Sequence, residues 1–196
     1  MAGPRTFEPR LLVGALPSGG VAFSDSSAYN VKIAGRDGGV SKILRRPFQA
    51  LPDTDRIEKA EKDRRLEELA AGEGPQMQVR MIGPGGGAAQ AISQDAIKEM
   101  MRGQVEQMQF FPEVPVIRAL QTSWGGRIWV QRRGEQPVSD GPIDVLNAEG
   151  QYVGSYPTGE MEMPSSFGPD GLTAYIEMDD FDVPTVVVRR LPASVN

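Results

Sequence analysis

Two omissions define the chemistry open to this 196-residue chain: it contains neither histidine nor cysteine. Without histidine there is no Ser-His-Asp relay, no imidazole metal ligand and no side-chain base that titrates near neutral pH. Without cysteine there is no thiolate nucleophile, thiolate metal site or disulfide framework. Carboxylates, lysines and tyrosines remain. The densest acidic group is Glu177, Asp179, Asp180 and Asp182. Several carboxylates together suit a hard cation, yet this run lacks the alternating acidic order and glycine of a calcium loop and is broken by Met178 and Phe181. It reads as a solvated turn. Asp25, flanked by Ser24, Ser26 and Ser27, suits local side-chain to backbone bonds. The stretch GPGGGAA, Gly83 to Ala89, lacks the lysine and Ser/Thr that make a glycine loop a phosphate cradle. The expectation is a chain with no catalytic residue, no cofactor and no metal.

Arginine and aromatic residues offer recognition instead. Arg45/Arg46, Arg132/Arg133 and Arg189/Arg190 form three pairs at the ends of β-rich runs. Neighbouring strand residues point to opposite faces, so one arginine of each pair can cover the sheet while the other reaches solvent or a carboxylate. Tryptophan and arginine dominate binding hot spots. Trp124, Phe181, Arg189 and Arg190 are therefore the partner-binding candidates, with Phe110 and Phe111 as further aromatic anchors; Trp129, inside RIWVQ, reads as core.

Three stretches with related spacing must position these groups. They run from Ser18 to Pro47, from Trp124 to Pro157 and from Gly168 to Pro192. Each opens with a glycine turn and a β-rich run: Val21 to Phe23, Arg127 to Val130, Leu172 to Ile176. In the first two, a second run passes through RDGG or AEGQ into a third, with Gly38 and Gly150 supplying the backbone freedom of a tight hairpin. Alternation places Val31, Ile33, Val40 and Ile43 in the first stretch, and Ile143, Val145 and Tyr152 in the second, on buried faces. The third stretch closes on PTVVVRRLP, with Pro184 where a strand starts and tolerates a missing N–H.

Between Phe48 and Phe111 the period changes. Asp55 to about Ala70 has helical charge spacing, with i,i+4 pairs Glu58/Lys62 and Glu61/Arg65, and a thin apolar stripe of Ile57, Ala60, Leu66 and Leu69. Gln94 to Met108 repeats Ile97, Met101, Val105 and Met108 at intervals of three to four. The predicted fold is mainly β: incomplete, propeller-like antiparallel meanders with a helical insertion, divided into a first meander at 1–47, an insertion at 48–115 and two C-terminal meanders at 116–196.

The phrases GGVAFSDSSAYNVKI with DGGVSKIL, GGRIWVQRRG with PIDVLNAEGQYVG, and FGPDGLTAYIE resemble blades of the bacterial six-bladed, NHL-like β-propeller family. The resemblance spans about two thirds of the chain and implies the C-terminal half of such a propeller carrying a helical insertion. Members of full size look exported or lipid-anchored, whereas the first twenty residues here do not read as a secretory leader. The formal charge of −5, from 26 acidic and 21 basic residues, gives no attraction to nucleic acid, and no apolar run approaches the roughly 20 residues of a membrane span. The expected function is a non-catalytic structural or interaction protein, an accessory subunit of a larger assembly. A bacterial membrane or photosynthetic complex is the kind of assembly in view. Its expected partner is another protein or a second copy, and its expected location is the cytoplasm, with peripheral docking on a membrane complex compatible with it. The alternative is a propeller-derived domain that binds a small ligand or acts as an enzyme.

Overall fold

The computed structural model describes residues 5–71, 80–81, 90–91, 94–179 and 183–191. The protein is mainly β, as predicted, with antiparallel meanders on either side of a helical insertion. It divides into two compact units, Met1–Phe7 with Pro52–Pro112, and Glu8–Leu51 with Glu113–Asn196.

The smaller unit contains α1 (Asp55–Ala71) and α2 (Gln94–Glu106). Thr54 precedes α1 and supplies its cap: its carbonyl accepts the Glu58 N–H at 2.9 Å and its hydroxyl faces the Ile57 N–H at 3.4 Å. This satisfies donors that the first helical turn leaves unpaired. The i,i+4 ion pairs on α1 are Glu61–Arg65, as the spacing predicted, together with Lys59–Asp63 and Arg64–Glu68; the expected Glu58–Lys62 pair is not among them, and Lys62 lies over the Phe110 ring. Ala60, assigned to the apolar stripe, is exposed, and the buried residue of α1 is Glu61. Arg64 and Arg65 both donate to its carboxylate, at 2.8 and 2.7 Å. Burial alone would raise this carboxyl, but the two guanidiniums outweigh it and hold Glu61 below its ordinary value. On α2, Ile97 and Val105 are buried, the face that the three-to-four spacing picks out. The N-terminal segment joins this unit through Thr6, whose N–H donates to Gln109 and whose carbonyl accepts from Phe111. The Gly83–Ala89 stretch lies outside the described residues.

In the larger unit, β1 (Leu12–Ala15), β2 (Val21–Ser24), β3 (Asn30–Ala34) and β4 (Val40–Arg45) pair in chain order as sheet 1. The strands β9 (Ile117–Thr122), β10 (Ile128–Arg133), β11 (Asp140–Leu146) and β12 (Tyr152–Tyr156) repeat that order as sheet 2. Sheet 3 has three strands: β13 (Ser166–Phe167), β14 (Leu172–Met178) and β15 (Pro184–Arg190). Short pairs complete the chain: β5 (Leu51–Pro52) with β8 (Glu113–Val114), and, in the smaller unit, β6 (Arg80–Met81) with β7 (Gln90–Ala91). The sequence repeat singled out the strands corresponding to β2–β4, β10–β12 and β14–β15. The leading strands β1, β9 and β13 lack a comparable glycine signal.

One hairpin geometry recurs at the head of each sheet. Leu16 and Gly20, Ser123 and Arg127, and Gly168 and Leu172 are joined by N–H to carbonyl bonds of 2.8–2.9 Å. The next-to-last residue of each loop is Gly19, Gly126 or Gly171, with φ of 84°, 84° and 73°. Side-chain-bearing residues seldom adopt that conformation, which explains the glycine. The loops put Val21, Ile128 and Thr173 in equivalent positions. Each sheet thus has a front face (Val21 and Phe23; Ile128 and Val130; Thr173 and Tyr175) and a back face (Ala22 and Ser24; Trp129 and Gln131; Ala174 and Ile176), because strand side chains alternate.

The sheets stack in succession. The back of sheet 1, through Ala22 and Val31, packs on the front of sheet 2, through Leu120, Ile128 and Val130. The back of sheet 2, through Trp129, Ile143 and Val145, packs on Phe167 and Leu191 of the sheet 3 region. Phe167 pairs with Thr173 across the ladder and so shares the front face of sheet 3. Sheet 2 is therefore buried on both sides, and four successive residues, Ile128 to Gln131, are buried.

Candidate functional site

The arginine pairs occupy the ends of strands, as expected, but the structure gives them unlike roles. Arg46, just after β4, and Arg132, on β10, converge on Asp144, a residue the sequence reading did not single out. Asp144 is fully buried, and its Oδ2 lies 2.7 Å from Arg46 Nη1 and 3.2 Å from Arg132 Nε. The Ser155 hydroxyl, on the adjacent strand, donates to Oδ1. The Tyr29 hydroxyl also faces this carboxylate; burial first, then the neighbouring negative charge, raises the phenol above its ordinary value. Burial would lower the Arg46 guanidinium, and its pairing with Asp144 reverses that and raises it.

Aromatic rings complete the cluster. Arg46 lies 4.2 Å from the Tyr152 ring centroid and 4.8 Å from that of Phe48, and Arg132 lies 4.2 Å from Phe48. Cations over ring faces gain electrostatic attraction that grows as water is removed. Arg46 comes from sheet 1 and Asp144 and Arg132 from sheet 2, so this cluster pins the first junction. The Thr122 hydroxyl, donating to the Ala15 carbonyl at 2.6 Å, and the Lys42 ammonium, donating to the Glu149 carbonyl at 2.9 Å, join the same two sheets. Arg46 and Arg132 both pair with Asp144, and the Ser155 hydroxyl donates to it, so the arrangement is a fastening between sheets.

The second junction centres on Trp129, whose ring stacks with Tyr156 at 5.8 Å and meets Phe167 at 5.2 Å. It is core, as its flanking residues indicated. Trp124 is 68% exposed, at the β9–β10 turn. Arg189 faces the front of sheet 3, bonded to Glu177 and 4.7 Å from the Tyr175 ring centroid. Arg190 donates to the Asp170 carbonyl. Phe181 lies outside the described residues. Phe110 and Phe111 are half-buried in the smaller unit, where Phe110 meets Phe7 and Lys62, and Arg5 lies over Phe111.

Of the acidic run, Glu177 is taken by Arg189 and Asp179 accepts the Val183 N–H at 2.9 Å, while Asp180 and Asp182 lie outside the described residues. Among the described residues no group of three or more acidic side chains is arranged to hold a metal ion. No described helix is long and apolar enough to cross a membrane.

Among the described residues, the larger unit has two sheet faces with no sheet packed against them. On the front of sheet 1, Val13, Phe23, Lys32 and Ile43 form one row across four strands, with Val13 and Ile43 about half exposed. On the back of sheet 3, Ile176 pairs with Val186 and Ala174 with Val188; Ile176 is 63% and Val186 70% exposed. In VVV, alternation turns only Val187 towards the packed side. Contiguous exposed apolar surface on a folded domain marks association. Ile43, Val40 and Tyr152, which alternation placed on buried faces, are about half exposed, because an apolar strand run looks the same whether or not its second face has a neighbour. The chain matches no known protein-family model and no curated protein.

Proposed function

We propose that the chain is a non-catalytic interaction subunit whose sheet faces dock on protein. The observation that carries this reading is the exposed apolar back of sheet 3, where Ile176 of β14 sits beside Val186 and Val188 of β15, which is the edge strand among the described residues. Free edges and apolar faces both promote association unless covered. The recurrent hairpins and successive stacking support a propeller-like arrangement of blades, and in that arrangement an uncovered blade face is a binding face. The chain then serves as an accessory subunit, docking from the water phase on a larger assembly. A bacterial membrane complex of the photosynthetic kind is the candidate that the resemblance supplies.

The test is sedimentation of the protein isolated gently from its native cells. The expected result is a species well above the 21.2 kDa of one chain, containing the chain in fixed ratio to its partner. A folded, single-chain species at micromolar concentration overturns the reading and favours a self-contained ligand-binding domain.

A further inference from the structure

Inside the larger unit, the back of one sheet packs on the front of the next, and it does so twice. Ala22 and Val31 meet Ile128 and Val130 at the first junction; Trp129 meets Phe167 at the second. The equivalent hairpin glycines establish that these are the same two faces each time. Among the described residues of the larger unit, one front, that of sheet 1, and one back, that of sheet 3, are left without a neighbouring sheet. Both carry exposed apolar residues: Val13 and Ile43 on one, with the half-buried Phe23 between them, and Ile176, Val186 and Val188 on the other. On the open front Lys32 pairs with Asp25 at 2.7 Å within sheet 1, and Arg45, whose register with Asn30 puts it on the same face, is exposed at its margin. The Lys32–Asp25 pair sits where sheet 2 carries Asp144 and Arg132 at its own covered front.

We propose that a second copy of this chain supplies the missing neighbour, the front of sheet 1 of one copy receiving the back of sheet 3 of another. This rests on the interaction reading above and names the partner. The contact is heterologous, joining two different faces, and such contacts either close into a ring or continue as a filament. A sheet face three or four strands wide covers only a few hundred Å², from strand spacings of about 4.8 Å and lengths of about 20 Å. A stable interface needs about 800 Å² per partner. A single contact is therefore weak, and a closed ring, in which every copy makes two, is the favoured assembly.

The experiment uses the full recombinant chain in sedimentation velocity between about 1 and 100 µM, a range that brackets weak to moderate affinities. The expected result is a discrete species of about double the 21.2 kDa chain mass or more, growing with concentration. Val186→Lys damages one face and Val13→Glu the other. Both sites are more than half exposed, and circular dichroism checks that each variant folds. Each variant alone is expected to lose the oligomer, and an equimolar mixture is expected to recover a 1:1 pair at the highest concentrations, because each retains the face the other lacks. A wild-type chain that stays monomeric throughout overturns the proposal, independently of the variants. So does an oligomer that responds to only one of the two substitutions, which marks a contact between like faces. If the recombinant chain is monomeric while the natively isolated protein is not, self-association fails and docking on another protein stands; if both are monomeric, both fail.

Discussion

Asn in place of Asp144 tests the fastening between sheets 1 and 2. The substitution preserves shape and an oxygen acceptor for Ser155, but removes the one carboxylate that two guanidiniums share. Removing one member of a buried ion pair costs about 3 to 5 kcal/mol, because the other charge is left desolvated. Arg46 and Arg132 retain 26% and 19% side-chain exposure, so water relieves part of that cost and the lower end, about 3 kcal/mol, is expected. For a chain of this size each kcal/mol moves the melting temperature by about 2 to 4 °C, giving a loss of about 6 to 12 °C. Both tryptophans, Trp124 and Trp129, belong to the larger unit, so near-ultraviolet circular dichroism follows the relevant transition. Far-ultraviolet ellipticity follows the helices separately. A double-mutant cycle with Arg46→Met isolates the pair, and contacting charges of this kind couple by about 0.5 to 3 kcal/mol. A melting temperature within about 1 °C of wild type, or additive effects of the two substitutions, would refute the claim that Asp144 anchors the junction.

The two tryptophans should respond very differently to replacement. Trp129→Ala removes a fully buried ring and should cost about 3 to 5 kcal/mol in urea unfolding, while Trp124→Ala, at an exposed turn, should stay within about 0.5 kcal/mol; similar losses at both would contradict the packing. Glu61 predicts an acid limit for the smaller unit. Its carboxyl is held below its ordinary value when folded, so its contribution is present above about pH 5, where the unfolded carboxyl is ionised, and is lost as pH falls through the lower folded value. Helix ellipticity should therefore fall on acidification, and Glu61→Gln should flatten that part of the profile.

Much of the architecture was legible from local pattern. A glycine at positive φ is a requirement of the loop itself, so the heads of the three meanders could be found by eye. Helical periodicity is equally local: Ile97 and Val105 face inward because the helix repeats every 3.6 residues, and α1 and α2 fall where that spacing placed them. The absence of histidine and cysteine excluded whole classes of chemistry without reference to any fold.

Other features depended on which sheet stands behind which. Alternation along a strand specifies two faces but says nothing of their neighbours, so Val130 is buried on one side of sheet 2 and Trp129 on the other, while Val186 and Val188 remain open. The same ambiguity hid Asp144. In sequence it is one acidic residue inside PIDVLNA; only stacking brings Arg46, from a distant part of the chain, to within 2.7 Å and replaces the water its charge loses on burial. Local interactions determine a turn or a helix face because both partners lie within a few residues. A buried charge or an uncovered sheet face is decided by the packing of segments far apart in the chain, and only the tertiary structure contains that information.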